Sequence, residues 1–353
     1  MGLFSRKNRQ SGAAVIERQP VSPEIEALEA EGKLFEAIDA MTAINRTQRD
    51  PNVERELRRV RHLAGIELIE NAPENPQFPE PNAEVPARGE QSRCPEATPD
   101  QLTPELLRAS FLEAGCLLVR DVMDDDKALQ LAADIDHSFE VRKKLGGDNP
   151  DPDGFYDEMQ PEDPFRILER EWVEEGGGVL AADSPKMLFD MLDAFEKANL
   201  RQIIEAYLGE KAAVSAQKCT LRKSTPDVAG GWHQDGQFMG EDIRSVNVWM
   251  SLSRCGDVAP SMDVVPVRLE EFAELGGPGT YLDFQISDQT AEKLAGDVGV
   301  VRPIFNPGDA LLFDHMFLHQ TGSDPSMPNN RYAIESWFFG PSSYPENYVP
   351  IAF

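Results

Sequence analysis

The feature that most constrains this chain is a change of hydrophobic period near Lys211. Upstream, apolar residues recur at three- and four-residue steps, the spacing of an amphipathic helix. Downstream, short β-type runs take over: AAVSAQKCTL, RSVNVWMSLS, MDVVPV, GVVRPIF, DALLFD and RYAIESWFFG, separated by Gly, Pro and Asp turns. Helices first and many short strands later predict an α+β chain with a mainly β core. An antiparallel barrel or jelly roll with flanking helices is expected.

The upstream part divides further. Over residues 22–72, Ile25, Leu28, Leu34, Phe35, Ile38, Met41 and Ile44 keep helical spacing, RDPN at 49–52 breaks the run, and a second pattern follows from Val53 to Ile69. The stretch EGKLFEAIDAM resembles part of a tetratricopeptide unit, a helical hairpin. One unit is visible, and such repeats need about three to bury a core. The hairpin is therefore expected either to pack on its own domain or to serve a protein partner or self-association. Residues 73–97 are rich in proline and polar residues, which predicts an extended, solvated linker and a domain boundary near Glu96. Residues 1–21 predict a disordered tail: MGLFSRKNRQ lacks the apolar core of a secretory signal, and Arg6 breaks the myristoylation pattern. Residues 98–353 form the main domain. It opens with the helix TPELLRASFLEAG, which Thr103 can cap with Pro104 in its first turn, followed by the buried strand CLLVRDV.

Charge narrows the function classes. The 353 residues hold 62 acidic and 34 basic side chains, a formal net charge of −28. Such a field repels phosphate backbones and anionic membranes, so neither nucleic acid nor membrane is expected as a partner. No apolar run approaches the roughly 20 residues of a membrane span. Cys94, Cys116, Cys219 and Cys255 form no CxxC pair, which argues against a disulfide framework or zinc site and for a reduced, cytoplasmic protein.

The chemistry concentrates in GGWHQDGQF. On a strand, residues i and i+2 share a face, so His233 and Asp235 would both aim inward while Gln234 points away. An imidazole and a carboxylate suit a divalent metal of intermediate softness. A third ligand is available in NPGDALLFDHMFLHQTG, which offers His315 and His319. Thr321 follows His319 by two residues and Arg331 by twelve. An arginine with a hydroxyl neighbour can grip a carboxylate of a dicarboxylic co-substrate.

Together WHQD, NVWMSLS, NPGDALLFDHMFLHQTG and RYAIESWFF resemble the phytanoyl-CoA dioxygenase family of Fe(II)- and 2-oxoglutarate-dependent oxygenases. LLRASFLEAGCLLVRDVM resembles that family's first helix and strand, so the similarity runs from about Leu102 to the C-terminus. The resemblance implies a double-stranded β-helix, with His233, Asp235 and His319 as metal ligands and the catalytic centre. It assigns Arg331 and Thr321 to 2-oxoglutarate, and O2 as the second co-substrate. The implied reaction is hydroxylation of a small-molecule substrate with release of succinate and CO2. Related halogenases carry Gly or Ala in place of the carboxylate, so Asp235 favours hydroxylation. The turn after the central strand, RCGDVAPSMDVVPVRLEEF, departs from the family's Pro-Gly-Ser-His ending. No basic cluster supports an acyl-CoA or phosphate-bearing substrate.

Other candidates surround this set. Lys218 or Gln217 could reach the co-substrate, and Trp232, Phe238, Trp249 and Trp337 could line the substrate pocket or belong to the core. GDNPDPDGFYDE resembles a calcium loop through Asn149, Asp151, Asp153 and Gly154, but Gln160 replaces the last acidic ligand; a flap over the site fits better. His62 and His137 are expected to be structural. Two further uses of the chain are considered: desaturation or cyclisation at the same iron, and a silent jelly roll that binds a partner through its hairpin.

Overall fold

The computed structural model describes residues 19–145, 151–228 and 230–353, so the expected tail falls outside the described residues for its first 18 positions. The helices are α1 (Pro23–Ala30), α2 (Leu34–Thr47), α3 (Pro51–Glu70), α4 (Pro104–Ala114), α5 (Asp125–Leu145), α6 (Arg170–Glu175), α7 (Pro185–Lys197), α8 (Leu200–Leu208), α9 (Gly236–Met239) and α10 (Asp288–Ala295). The strands are β1 (Glu96–Ala97), β2 (Cys116–Val119), β3 (Gly178–Leu180), β4 (Ala213–Ser224), β5 (Ser245–Ser251), β6 (Ser261–Val264), β7 (Ala310–Phe313), β8 (His319–Gly322), β9 (Arg331–Phe339) and β10 (Pro350–Ala352). Among the described residues, no helix is long and apolar enough to cross a membrane.

The large sheet runs β1-β2-β7-β5-β9-β4-β10, with β3 also paired to β4, and is antiparallel except at β1–β2. A small sheet, β6–β8, is extended by isolated bridges from Val264 to Val301 and from His233 to His319. The two sheets enclose a core that includes Trp249, Met262, Val264, Phe305 and Phe313. The arrangement is the expected jelly roll with outer helices. Period-two alternation explains how one strand serves two layers. On β5, Val246, Val248 and Met250 join Met191, Phe195 and Ile204 of the helical layer, while Asn247 and Trp249 face the opposite way into a cavity. A central strand covered on both faces reads as an apolar run, which is why NVWMSLS looks continuous.

Two expectations about the first hundred residues are corrected. The run from Ile25 to Ile44 is two helices, broken where Gly32 takes φ +73°, so the hairpin is a three-helix unit. Residues 73–97 keep an extended and largely solvent-facing backbone, but the segment is anchored to the domain and is not a free linker. Phe78 lies between the Arg108 and Arg244 guanidinium groups, 4.3 and 3.7 Å from its ring centre, and against Tyr207, while Cys94 is fully buried. Proline content set the segment's extended backbone; its few apolar side chains and cation–π contacts set where it lies.

The N-terminal helices pack on the rest of the chain. Their core, with Ile38, Met41, Leu57 and Val60, incorporates Ala352 of β10 and touches Phe189 of α7. Arg49 holds Asp190 with two hydrogen bonds of 2.9 and 2.8 Å, and Arg58 donates to Asp157 at 2.9 Å. His62 is wedged at the seam: Nδ1 donates to the Pro350 carbonyl at 2.8 Å, and Nε2 accepts from the Glu162 backbone N–H at 3.1 Å. Burial lowers its pKa, outweighing Pro350 and Glu162. Below about pH 6.5 the unfolded chain therefore takes up a proton that the folded one resists, and stability falls with falling pH. The melting temperature of the protein is expected to drop as pH falls from about 6.5, with a shallower slope in His62→Gln. Parallel slopes in the two proteins would contradict this role.

Candidate metal centre and its cavity

The glycines of GGWHQDGQF make room for close approaches. A Cβ on Gly230 would lie 2.8 Å from the Thr321 nitrogen, and one on Gly236 would lie 2.5 Å from the Phe272 ring and 2.8 Å from that of His315. Between them, His233 forms a two-way backbone bridge with His319, at 2.9 and 3.1 Å, which sets the two imidazoles side by side with centroids 4.4 Å apart. Asp235 does not follow on the same strand, as the i, i+2 reading expected. Its backbone turns to φ −61°, ψ −27° and leads into the single turn of α9. That turn still brings the carboxylate back to the histidines: Oδ1 is 4.0 Å from His233 Nε2, and Oδ2 is 3.6 Å from His319 Nε2.

The histidine tautomers follow from their partners. His233 Nδ1 lies 2.8 Å from the Gly231 carbonyl and His319 Nδ1 lies 3.0 Å from that of Phe317. A carbonyl only accepts, so each Nδ1 carries a proton, and it is Nε2 of each ring that is turned toward Asp235 and can offer a lone pair in the neutral tautomer. Burial, and then the neighbouring His233, push the His319 pKa down to about 4, which keeps its imidazole neutral. Among the described residues, His233, Asp235 and His319 are the one group of three whose ligand atoms lie close enough to hold a metal ion, all within 4.8 Å of one another. His315 is excluded because both its nitrogens are engaged, by Ser245 Oγ at 3.1 Å and the Glu241 carbonyl at 2.9 Å.

The three side chains open into a cavity of about 300 Å³. Thr321, Lys218, Phe238, Trp249 and Trp337 line it; Trp232 does not. Trp232 sits in a separate apolar cluster with Val265 and Leu318 and donates its indole N–H to Asp288 at 3.0 Å, so the pocket role expected for it is corrected to a core one. Its neighbour in sequence, His233, faces the cavity, and alternation sends Trp232 the other way.

Arg331 enters the same cavity from the start of β9, opposite Ser224 at the end of β4. It is almost fully buried; Nη2 donates to Ser224 Oγ at 2.8 Å and Nη1 to the Ser261 carbonyl at 3.2 Å, while Nε has no hydrogen-bond partner among the described residues. Glu335, four residues on, approaches to 3.8 Å but is gripped by Arg222 with bonds of 3.1 and 2.9 Å. Although burial raises its pKa, the Arg222 and Arg331 charges win and hold it below the usual carboxylate range. Lys218 lies six positions before Ser224, roughly 20 Å along the strand, so it occupies the other end of the cavity. Its ammonium sits 4.3 Å from the Phe238 ring centre, and burial lowers its pKa against the pull of Asp235.

Several lining residues were not singled out from sequence. Glu335 and Arg222 share strand parity with Arg331 and Lys218, a signal that was available. Phe284, 5.1 Å from Phe238 and 6.1 Å from His233 between ring centres, sits in an irregular loop where periodicity says nothing. Glu169 and Trp172 border the cavity from α6 and its approach. Of the expected flap, residues 147–150, Asn149 among them, lie outside the described residues, and Asp151 to Asp157 do not line the cavity but are fixed to α3 by Arg55 and Arg58.

No protein-family model and no curated protein matches the chain. Solved structures with a similar fold include EctD from S. alaskensis with 2-oxoglutarate and 5-hydroxyectoine, 18% identical with a TM-score of 0.48 over 77% of this chain and 89% of that one. AviO1 from Streptomyces viridochromogenes Tue57 is 16% identical, with a TM-score of 0.41 over 68% of this chain and 96% of that one.

Proposed function

We propose that the chain is an Fe(II)- and 2-oxoglutarate-dependent dioxygenase that hydroxylates a C–H bond of a small-molecule substrate, releasing succinate and CO2. The observation that carries this reading is the pairing of two opposed features in one cavity. At one point two imidazoles and a carboxylate converge, the donor set of a non-haem ferrous site with open positions. At another, a buried guanidinium has an N–H left without a partner among the described residues, which fits the distal carboxylate of a dicarboxylic acid.

Bound there, Fe(II) would supply the activation of O2 coupled to oxidative decarboxylation of 2-oxoglutarate. The chain's own part is positioning. The Gly231 and Phe317 carbonyls fix the imidazole tautomers, Asp235 supplies the anionic ligand, and Arg331 with Thr321 orients the co-substrate. Lys218 offers a cation on the far side of the ligand set. Trp249, Trp337 and Phe238 line the cavity with apolar surface that limits water around the oxidant. Within this class, the WHQD and NPGDALLFDHMFLHQTG patterns support membership of the phytanoyl-CoA dioxygenase family, and Asp235 supports hydroxylation over halogenation.

Anaerobic titration with Fe(II) and then 2-oxoglutarate tests the reading. A weak visible charge-transfer band is expected on the second addition, absent from His233→Ala. No band in the wild type, or the same band in both proteins, would sink it.

A further inference from the structure

A second cavity, of about 230 Å³, lies between α2 and α3 on one side and α7 and α8 on the other. Most charges around it are paired. Arg46 meets Asp193 at 2.6 Å, Arg49 meets Glu54 at 2.6 Å, Arg201 meets Glu196 at 2.7 Å and Arg58 meets Asp157 at 2.9 Å. Arg61 is the exception. Its hydrogen bond runs from Nη1 to the Ala352 carbonyl at 2.9 Å, and among the described residues it has no carboxylate at ion-pair distance. Asp39 acts on it from further away and is exposed. Burial first, and repulsion from Arg201 second, push the Arg61 pKa down to about 10. Thr42, on the same cavity wall, has a buried hydroxyl with no hydrogen-bond partner among the described residues. Leu57, Leu188, Leu192 and Phe353 make the remaining wall apolar.

We propose that this cavity is a ligand site for a small organic carboxylate with an apolar body, its carboxylate on Arg61 and Thr42 and its body against Leu188, Leu192 and Phe353. The Arg61 guanidinium is half-buried beside the cavity, and with one hydrogen bond it keeps donors free to grip a carboxylate. Among the described residues Arg61 is the one cation lining the cavity without an ion pair, and with the exposed Asp39 on the same wall the site suits no more than a single added negative charge. A phosphate dianion would instead bring excess charge beside Glu54, Asp193 and Glu196, and would leave the apolar wall uncovered. The ligand would touch α2, α3 and the α7–α8 side together, so it would fasten the N-terminal helices to the domain and raise stability by mass action. The site is separate from the iron cavity and does not depend on the dioxygenase reading.

Calorimetric titration of the full chain with benzoate, with inorganic phosphate as control, tests it, with melting temperature read in parallel. One benzoate is expected to bind and raise the melting temperature, with phosphate much weaker. Arg61→Met should weaken benzoate by at least about tenfold, the scale of one charge-assisted hydrogen bond, and Arg61→Lys should recover part of it. Thr42→Val provides a second, milder loss should Arg61→Met not fold. Arg331→Met should leave benzoate binding unchanged. Absence of benzoate binding, full affinity in both Arg61→Met and Thr42→Val, phosphate binding as tight as benzoate, or loss of binding in Arg331→Met would each overturn the proposal.

Discussion

Asp235→Ala is expected to abolish 2-oxoglutarate turnover and to weaken Fe(II) binding by more than the roughly 10–100-fold seen when only an outer partner of a metal ligand is lost. The reason is the donor set: without Asp235 two imidazoles remain, and no other carboxylate completes a metal-binding group with them among the described residues. The fold should survive the change. The local turn is held by backbone bonds, Met239 N–H to the Asp235 carbonyl at 3.0 Å and Gly236 N–H to the His315 carbonyl at 2.9 Å, which do not involve the carboxylate. The metal-free variant should therefore melt no lower than the metal-free wild type, since the carboxylate removed is buried and receives no hydrogen bond from the described residues. Anaerobic Fe(II) titration, succinate release and melting temperature together separate the possibilities. Turnover within a few-fold of wild type would remove Asp235 from the site, and a large fall in melting temperature would show that its role is structural.

The candidate site was largely legible because the side chains gathered in it differ chemically from the strands that carry them. His233, Asp235, His319 and Arg331 stand in order in a chain whose surroundings read as short strands, and residue type alone restricts what such a set can hold. What sequence could not give was how the backbone delivers them. Asp235 reaches the histidines through the turn into α9, not by strand alternation, and that depends on Gly236 allowing Phe272 and His315 to press against it. Trp232 shows the same limit from the other side: an aromatic beside a ligand was expected in the pocket, and the fold turned it into a separate core. Glu335, Arg222 and Phe284 reach the cavity from β9, β4 and a loop, so their meeting depends on sheet order β5-β9-β4 and on the loop's path, which no local pattern encodes. The segment around Phe78 misled in the opposite direction, because composition reports backbone preference and not the few side chains that anchor it.

Arg331→Met should raise the dissociation constant for 2-oxoglutarate by between about 30-fold and a few thousand-fold, the range for truncating one partner of a buried charge pair, while Fe(II) binding without co-substrate is unchanged. Methionine keeps the unbranched stem that packs on Trp249, whose ring centre lies 5.4 Å from the guanidinium carbon, so the loss is of charge and donors. The variant remains foldable because Glu335 keeps its two bonds from Arg222 and is not left as an uncompensated buried charge. Glu335 supplies the internal control. At 3.8 Å from Arg331 it competes with an incoming carboxylate for the same guanidinium, so Glu335→Gln should tighten 2-oxoglutarate binding, opposite in sign to Arg331→Met. Both are read from the dependence of the charge-transfer band on 2-oxoglutarate concentration, which needs no knowledge of the substrate. Equal affinity in wild type and Arg331→Met would mean that the co-substrate's distal carboxylate lies elsewhere. Weaker binding in both variants would mean that Glu335 orients Arg331 for the ligand and does not compete with it.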